Sequence, residues 1–437
     1  MAKSVVSIVK GTDAEQMVDK AFALLGGLDS LIRPNATIVI KPNAGHPVAA
    51  ETAGCTSPEM VSAVIKVLQK AKPKDIIVAE SGAIGCDTIE CFEVSGIRKA
   101  AEDAGARLID IKREEDLVSI PIRDAQSGLN RVLLPRFLLE ADHIVNLPIF
   151  KPHVSMVFTC ALKNLKGTVQ DKVHYQMHQT DLAMAMVDLC TVVRADFHVA
   201  DFIRPQEGFG PQNGIPTDFG CVVASKDPVA VDATACRMVG LDINQVTYFL
   251  PAHERGLGNY KEDSIEIRGN KIEEVYKELW MPYLGGFQQW PEYNVLLGEG
   301  ACSSCQGLVA FTLERLKSLG EYDKNAGSTI MIGRHKELPK GVDPQNLFLC
   351  GDCLKRFRDQ GKGIPIEGCP PGETTPLRTI INRAEQKRNI EGVRESGFTP
   401  DMVLRTAEST AKDMDPFIEY EKKLRDKVMA EKRGKKK

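Results

Sequence analysis

Short apolar runs alternate with longer helical patterns over the first 250 residues of the chain. The apolar runs are rich in Val and Ile and are apolar at most successive positions, which is typical of strands that are covered on both faces. We predict seven strands, at residues 4–10, 37–42, 75–81, 107–111, 143–150, 198–203 and 221–225. The two clearest helix patterns each begin with a capping side chain followed by proline, Ser57-Pro58 and Asp227-Pro228, and predict helices over 57–71 and 226–241.

This alternation predicts an α/β fold with a mostly parallel layered sheet and helices on both faces. A small cysteine-rich metal-binding lobe and a helical C-terminus are expected to follow it. The predicted division is an α/β domain over 1–280, a linker over 281–300, a cysteine module over 301–372, and a charged helical segment with a basic tail over 373–437.

Charge and hydropathy exclude several classes of function. The chain has 56 basic and 59 acidic residues, a net charge of -3, so it presents no overall field for nucleic acid or an acidic membrane. No apolar run approaches the roughly 20 residues that span a bilayer. The apolar run at the N-terminus is too short, and the segment too charged, for a signal peptide. We therefore expect a cytoplasmic protein with no nucleic-acid or membrane partner.

Polar residues follow the predicted strands at the points where ligands bind in open α/β sheets. Lys41-Pro42-Asn43 and Lys151-Pro152-His153 each end a strand, and Glu80 ends another. Proline stops a strand and fixes the turn, so each lysine is held at the rim. A rim of lysines suits an anionic ligand. The alternative is that Lys41 and Lys151 form structural ion pairs with Glu80 and Asp201.

The segment after His153 has helical spacing and carries Lys163 and Lys166 three residues apart, roughly on one face. His174 and His178 are four residues apart, a spacing that suits a metal, an acid–base or substrate contact, or ordinary core and surface histidines. The candidate catalytic residues are His153, Lys163 and Glu80, with His153 as the first choice of proton carrier and Glu80 as the second. The candidate substrate-binding residues are Lys41, Asn43, Lys151, Lys166 and His178.

The motifs TIVIKPN, NLPIFKPH, TCALKNLKG, EGFGP and SKDPVAVDA occur in this order along the chain. Together they resemble the family called domain of unknown function 362, over roughly residues 1–250. The resemblance implies a fold and a site more than a reaction, and several members of that family carry iron–sulfur cysteine motifs. A weaker likeness connects KPHVSMVFTCALKNLKG with the nickel-pincer lactate racemase family. That likeness would give Lys163 the place of the cofactor-attached lysine, although Ala161 and Leu162 replace the paired glycines that precede it there.

Five of the 12 cysteines lie in one region, as two CxxC pairs and a Cys-Pro: Cys302, Cys305, Cys350, Cys353 and Cys369. Two CxxC pairs are a strong metal signal in a cytosolic chain. The 44-residue gap between the pairs is long for a zinc ribbon, and a cysteine followed by proline is typical of an iron–sulfur ligand loop. We predict a 4Fe-4S cluster held by four of the five. Zinc, or redox-active and unligated thiols, are the alternatives.

These features predict an iron–sulfur enzyme of an anaerobic organism that acts on an anionic small molecule at the lysine-rich sheet edge. Its cluster would perform redox or Lewis-acid chemistry. One alternative is a non-catalytic cluster-bearing electron carrier or assembly partner whose basic tail docks a redox partner protein. A second alternative is a zinc-stabilised metabolite-binding protein.

Overall fold

The computed structural model describes residues 3–153, 156–178, 180–211, 214–282, 286–299, 301, 303–368, 371, 375–390 and 414–435. The chain divides into two compact units, Met1–Met281 and Pro282–Lys437. Each is described by itself below.

The first unit is built on an eight-stranded sheet. The strands described in this unit are β1 Ser4–Lys10, β2 Thr37–Pro42, β3 Asp75–Glu80, β4 Arg107–Asp110, β5 Leu117–Pro121, β6 Arg131–Pro135, β7 His143–Leu147, β8 Lys151–His153, β9 Val157–Thr159, β10 Phe197–Phe202, β11 Gln206–Glu207, β12 Ile215–Pro216, β13 Cys221–Ser225 and β14 Ile265–Gly269. The strand order in the eight-stranded sheet is β14-β1-β13-β10-β7-β2-β3-β4. Only β13 runs antiparallel to its neighbours, β1 and β10, and the other pairings in this sheet are parallel.

Helices cover both faces of this sheet. On β2, Ile38 and Ile40 belong to one core cluster with residues of the helix Pro58–Gln69, whereas Val39 packs on the other face with Leu138. The described helices of the unit are α1 Ala14–Leu24, α2 Leu28–Leu31, α3 Pro58–Gln69, α4 Thr88–Val94, α5 Ile97–Asp103, α6 Arg136–Glu140, α7 Ala161–Asn164, α8 Asp171–His178, α9 Leu182–Cys190, α10 Pro228–Met238, α11 Phe249–Glu254 and α12 Ile272–Val275.

The α/β prediction, with a mostly parallel sheet, is therefore confirmed. The seven predicted strands are all present, and three of them keep the bounds expected from their apolar runs. The predicted caps also form, because Ser57 accepts a hydrogen bond from the Met60 N–H and Asp227 accepts one from the Ala230 N–H. The edge strand β14 and the hairpins β5–β6 and β8–β9 were not predicted.

The second unit has its own four-stranded parallel sheet, formed by β15 Asn294–Leu297, β16 Thr329–Ile332, β17 Leu347–Cys350 and β18 Ile364–Ile366. The strands lie in this sheet in the order β15-β16-β17-β18. Its described helices are α13 Ser303–Ser318, α14 Lys355–Arg358, α15 Thr375–Ile390 and α16 Met414–Lys435. The last two give the chain its predicted helical C-terminus.

The segment 281–300, which the sequence predicts to be a linker, contains β15. Trp290 and Tyr293 from the same segment are buried in the core of the second unit. Their indole and ring surfaces provide the large apolar contacts that a four-residue strand lacks, so the segment packs as part of that unit. Among the described residues, no helix combines the length and apolar character needed to cross a bilayer.

Candidate functional site

The candidate site of the first unit lies at the carboxyl ends of neighbouring parallel strands. Lys41 is near the end of β2, Glu80 is the last residue of β3, and Lys151 begins β8 shortly after β7 ends. The pairing of β2 with both β3 and β7 gathers these ends at one edge of the sheet, where open α/β sheets bind ligands. A pocket of about 80 Å³ opens there.

The short helix α7 brings two more side chains to the pocket, Lys163 and Asn164. The buried Asp232 carboxylate fixes the start of this helix, because it accepts hydrogen bonds from the Ala161 N–H at 2.6 Å and the Leu162 N–H at 3.2 Å. Burial raises the pKa of Asp232 to about 7, against the effect of these hydrogen bonds. Asp232 therefore positions the helix that carries Lys163.

Lys41 and Glu80 form a buried ion pair inside the pocket wall, with 2.7 Å between Lys41 Nζ and Glu80 Oε2. Glu80 also accepts hydrogen bonds from the backbone N–H groups of Ala44, at 2.9 Å, and Ser81, at 2.8 Å. Burial lowers the pKa of Lys41 and raises that of Glu80, while their mutual attraction acts in the opposite direction on each. For Lys41, the structural ion pair considered from sequence is thus present.

Gly167 lies directly against this ion pair. A Cβ atom at this position would overlap Glu80 Oε1 and would lie 2.5 Å from Lys41 Nζ. The Gly167 carbonyl also accepts a hydrogen bond from the Ser81 N–H at 2.9 Å, which ties this backbone to the end of β3. The pair and the short 3₁₀ turn Leu165–Thr168 therefore fit together only because residue 167 has no side chain.

A chain of amide side chains extends from the ion pair into the unit. Asn164 Oδ1 accepts hydrogen bonds from Lys41 Nζ at 3.2 Å and from Asn43 Nδ2 at 2.9 Å. Asn164 Nδ2 in turn donates to Asn146 Oδ1 at 2.8 Å. Asn146 Nδ2 lies 3.0 Å from His198 Nδ1. These buried groups satisfy one another, which holds the Lys41 side chain in place.

Three further lysines line the pocket without a carboxylate of their own. Lys151 Nζ donates to the Gly54 carbonyl, and Lys166 Nζ lies 2.7 Å from His178 Nε2. No hydrogen bond or ion pair joins Lys163 Nζ to the residues that the structure describes. With Lys41, the described lining thus has four ammonium groups against one carboxylate, that of Glu80.

The electrostatic effect of this excess is visible in the pKa values. Burial lowers the pKa of Lys151 and of Lys166 to about 8 each. The pKa of Lys163 falls well below its ordinary value, first through burial and then through repulsion from the neighbouring lysines. An anion that enters the pocket would reverse these shifts, because it stabilises the charged form of each lysine.

Four histidines surround the same space, and burial together with the nearby lysines keeps them neutral. The pKa values of His46 and His178 fall to about 3, and those of His153 and His174 fall well below their ordinary range. His174 Nε2 lies 2.8 Å from the Lys166 carbonyl, so it donates there as the Nε2–H tautomer. This contact gives His174 a structural role in the wall of the pocket.

Four polar side-chain atoms of lining residues have no hydrogen-bond partner among the described residues. They are Asn43 Oδ1, Ser81 Oγ, Thr159 Oγ1 and His174 Nδ1. Buried polar atoms in proteins are nearly always paired, with protein, water or a ligand. The lysines give the pocket positive charge, and these polar atoms can form directional hydrogen bonds with a small polar ligand.

The structure brings seven of the residues predicted from sequence to the wall of one pocket: Lys41, Asn43, Glu80, Lys151, His153, Lys163 and Lys166. The eighth, His178, contacts Lys166. Sequence reasoning missed His46, Thr159 and Asn164. His46 follows the KPN motif by three residues and could have been found from that position. Asn164 lies within the TCALKNLKG motif, but only the two lysines of that motif were assigned a chemical role.

The predicted metal ligands are only partly described. Cys305 and Cys350 are buried and Cys353 is exposed, whereas Cys302 and Cys369 lie outside the described residues. Gly351 has a φ of 92°, and a Cβ there would lie 3.3 Å from Cys305 Sγ. The turn at Cys350–Cys353 therefore approaches Cys305 closely.

The backbone next to Cys369 also meets this turn. Gly368 N–H donates to Asp352 Oδ1 at 3.2 Å, and the Asp352 N–H donates to the Gly368 carbonyl at 3.1 Å. All three cysteine-bearing segments of the second unit thus approach one another. Within the described part of the chain, no three histidine, cysteine or acidic side chains converge as a metal site.

Comparisons with known proteins found the following similar chains. Thylakoid-associated protein sll1697 of Synechocystis sp. is 27% identical over 231 residues, which cover 50% of this chain and 67% of that protein. A protein of Thermotoga maritima is structurally similar at 13% identity and a TM-score of 0.37, over 90% of this chain and 86% of the other. The lactate racemase apoprotein of Thermoanaerobacterium thermosaccharolyticum matches at 12% identity and a TM-score of 0.39, over 88% of this chain and 82% of the other.

The profile of one protein family matches residues 38–237 of this chain. That range contains the whole described lining of the lysine pocket. The resemblance predicted from the sequence motifs is therefore confirmed, since residues 38–237 match the family described as Domain of unknown function (DUF362).

Proposed function

We propose that this chain is an iron–sulfur enzyme that binds a small anionic molecule in the lysine pocket and moves a proton at it. The observation that carries the proposal is that the described lining of the pocket contains four lysines and only one carboxylate. Because Lys41 is neutralised by Glu80, the unbalanced charge belongs to Lys151, Lys163 and Lys166. Like charges at such close quarters repel, and a bound anion offsets that repulsion.

The volume of the pocket limits the size of the anion. About 80 Å³ is far below the several hundred cubic ångströms of pockets that hold nucleotides or drug-sized molecules. A compact carboxylate, phosphate or sulfate fits this space. The Ser81 and Thr159 hydroxyls would donate the remaining hydrogen bonds to it, and Asn43 Oδ1 would accept one from a hydroxyl group or a protonated oxygen of the ligand.

His153 is the residue that we propose as the proton carrier. Burial and the charges of Lys163 and Lys166 keep its ring neutral, so that it has a nitrogen able to accept a proton from a bound molecule. A bound anion would raise the pKa of the ring and stabilise the protonated form. In this scheme Lys163 binds and polarises the anion, and Glu80 holds Lys41 rather than carrying the proton.

The second unit would carry the cluster, and its cysteines fit one. Thiolate sulfurs are the preferred ligands of iron–sulfur clusters, and the approach of Cys305 to the glycine turn at Gly351 leaves small residues around the sulfur. Cys302, Cys305, Cys350, Cys353 and Cys369 are the residues from which the ligands would come. A bound 4Fe-4S cluster would supply one-electron transfer, and a redox partner protein is part of this proposal.

The anion site is tested by replacing its unpartnered lysine. We expect isothermal titration calorimetry with small carboxylates, inorganic phosphate and sulfate to show saturable binding at one or more of them. Lys163→Met should weaken that binding about 10- to 100-fold, the value of a charged hydrogen bond. Lys172→Met, at an exposed position of the nearby helix α8, is the matched control and should bind as the wild type does. Equal binding by the Lys163→Met variant would contradict the proposal.

The cluster is tested by purification without oxygen and analysis for iron, sulfide and zinc. We expect about four iron and four sulfide per chain and a broad visible absorption. Serine in place of Cys305 should lower the iron content, and serine in place of the buried Cys190 of the first unit should leave it unchanged. Zinc without iron would overturn the cluster while leaving the anion site intact.

A further inference from the structure

A second cavity, of about 120 Å³, lies in the first unit and shares no lining residue with the lysine pocket. The start of β10, the start of α10 and the segment between α9 and β10 form its walls. Its polar lining consists of His198, Arg194 and Lys226, and its apolar lining includes Leu165 and Val193. No carboxylate is found among the lining residues that the structure describes.

His198 is 1% exposed, and its Nε2 atom meets no hydrogen-bond partner at hydrogen-bond geometry among the described residues. Asn146 Nδ2 lies 3.0 Å from its Nδ1, and the orientation of the amide is fixed because Asn146 Oδ1 accepts from Asn164. Nδ1 of His198 must therefore accept, so the ring proton lies on Nε2. Nε2 has no hydrogen-bond partner in the described structure. Burial lowers the pKa of the His198 ring to about 3, against the effect of a contact with the Ala195 backbone, so the ring is neutral and carries one proton.

Two cationic side chains line the same cavity as His198. Arg194 and Lys226 are exposed, and neither has an ion pair with the described residues. Lys226 Nζ lies 5.6 Å from the centre of the Phe197 ring, next to His198 in β10. A buried N–H donor, two cations and no carboxylate together suit a hydrogen-bond acceptor that carries negative charge.

We propose that this cavity is a second site, for a small oxyanion such as phosphate, sulfate or a carboxylate. His198 Nε2–H binds one oxygen of the anion from inside the cavity, and Arg194 and Lys226 hold it at the mouth. The volume of about 120 Å³ limits the ligand to a compact group, either free or at the end of a larger molecule.

The second site is joined to the lysine pocket by buried hydrogen bonds. His198 contacts Asn146, which contacts Asn164, which in turn contacts Lys41. Leu165 lines the second cavity, whereas its neighbours Asn164 and Lys166 line the lysine pocket. An anion that binds His198 therefore acts on the same short segment that presents Lys163 and Lys166 to the first ligand.

The test follows His198 directly, by NMR of the full chain labelled with ¹⁵N-histidine. The Nε2 resonance is assigned by its loss in His198→Gln, and the spectrum of the protein without added anion should show the Nε2–H tautomer. Titration with sodium sulfate, at constant ionic strength, should shift that resonance saturably. The double variant Arg194→Met, Lys226→Met should weaken the apparent affinity about tenfold. Lys20→Met, at an exposed position of α1, should leave the affinity unchanged.

The Lys163→Met variant separates this site from the lysine pocket. If the second site exists, the His198 resonance still responds to sulfate in that variant, even where binding in the lysine pocket is lost. A response that disappears in Lys163→Met, or that is unchanged in the double variant, would mean that His198 only senses the first pocket, and the second site would be refuted. The absence of any response to sulfate, phosphate and acetate would refute it as well.

Discussion

Replacing Gly167 by alanine tests whether the buried ion pair is held by the close approach of the backbone. The added methyl would overlap Glu80 Oε1 and lie 2.5 Å from Lys41 Nζ and 2.8 Å from Lys41 Cε. The backbone cannot retreat easily, because the Gly167 carbonyl accepts a hydrogen bond from the Ser81 N–H. We therefore expect the Glu80 carboxylate to be displaced from Lys41.

The expected cost follows from what the displacement breaks. Separating a buried charged pair typically costs about 3–5 kcal/mol, because both charges stay buried without compensation. At about 2–4 °C per kcal/mol for a unit of this size, the melting temperature should fall by about 6–20 °C. Anion binding should weaken too, since the pair and Asn164 share the pocket wall.

The assay is thermal and urea unfolding followed by circular dichroism, with Gly45→Ala as the matched control. Gly45 lines the same pocket, but a Cβ there has no atom within 4 Å and its φ is not in the left-handed region. That variant should differ from the wild type by no more than about 1 kcal/mol in its free energy of unfolding. If the Gly167→Ala variant is as stable as the Gly45→Ala variant, the close approach does not hold the ion pair and the reasoning fails.

Three further outcomes are expected. Sulfate affinity should fall as the pH rises through about 8, because the anion binds protonated lysines and the pKa of both Lys151 and Lys166 is about 8 in the folded protein. The fall should reach about tenfold per pH unit for each of these lysines that must be protonated for binding. Calorimetry from pH 6 to 10 measures this, and an affinity that rises with pH would contradict it. Gly351→Ala should lower the iron content because it crowds Cys305, whereas Gly361→Ala, also at positive φ but with open space around it, should not. Asp232→Asn should weaken sulfate binding, because the single oxygen of the amide replaces the two carboxylate oxygens that accept from the N–H groups at the start of α7. The secondary structure measured by circular dichroism should persist. Unchanged sulfate affinity would contradict the role of Asp232 in positioning α7.

The fold of the first unit could be predicted because its central strands are buried on both faces. Consecutive β-branched side chains, as in residues 37–42, are typical of a strand that is covered on both faces, so the apolar run and the strand coincide. The hairpin β5–β6 shows where this signal ends. β5 is half-buried or exposed, and although Val132 and Leu134 of β6 are buried, the two strands pair only with each other and their apolar runs are shorter than those of the central strands.

The short length of its strands explains why the sheet of the second unit could not be predicted from the sequence. Its strands are three or four residues long, too short for a period to be recognised, and cysteine spacing dominates the sequence around them. Trp290 is the residue that decides the outcome there. Its Nε1–H donates to Glu314 at 2.6 Å while its ring is buried in the core, a contact between segments 24 residues apart that spacing alone cannot predict.

For the site, sequence could predict residues whose position depends on a strand end, but not residues whose role depends on packing. Lys41 and Lys151 follow from the rule that ligands bind beyond the carboxyl ends of the strands. Gly167 and Asn164 do not, because their importance lies in what approaches them from β2 and β3. The choice between an ion pair and a ligand site for each lysine also required the structure, which pairs Lys41 with Glu80 and leaves Lys163 without a partner among the described residues.

The pairing of Lys41 with Glu80 and the unpaired charge of the other lysines are physically connected. If Glu80 were absent, Lys41 would add a fourth uncompensated charge to the pocket, and its burial at 1% exposure would be very costly. By neutralising only Lys41, Glu80 leaves a positive charge that depends on Lys151, Lys163 and Lys166 and on the pH. Repulsion among these lysines destabilises the ligand-free protein, and an anion that binds at 100 times its dissociation constant would return about 2.7 kcal/mol of stability. In the proposed function, the charge that selects the anion therefore also links folding to anion binding.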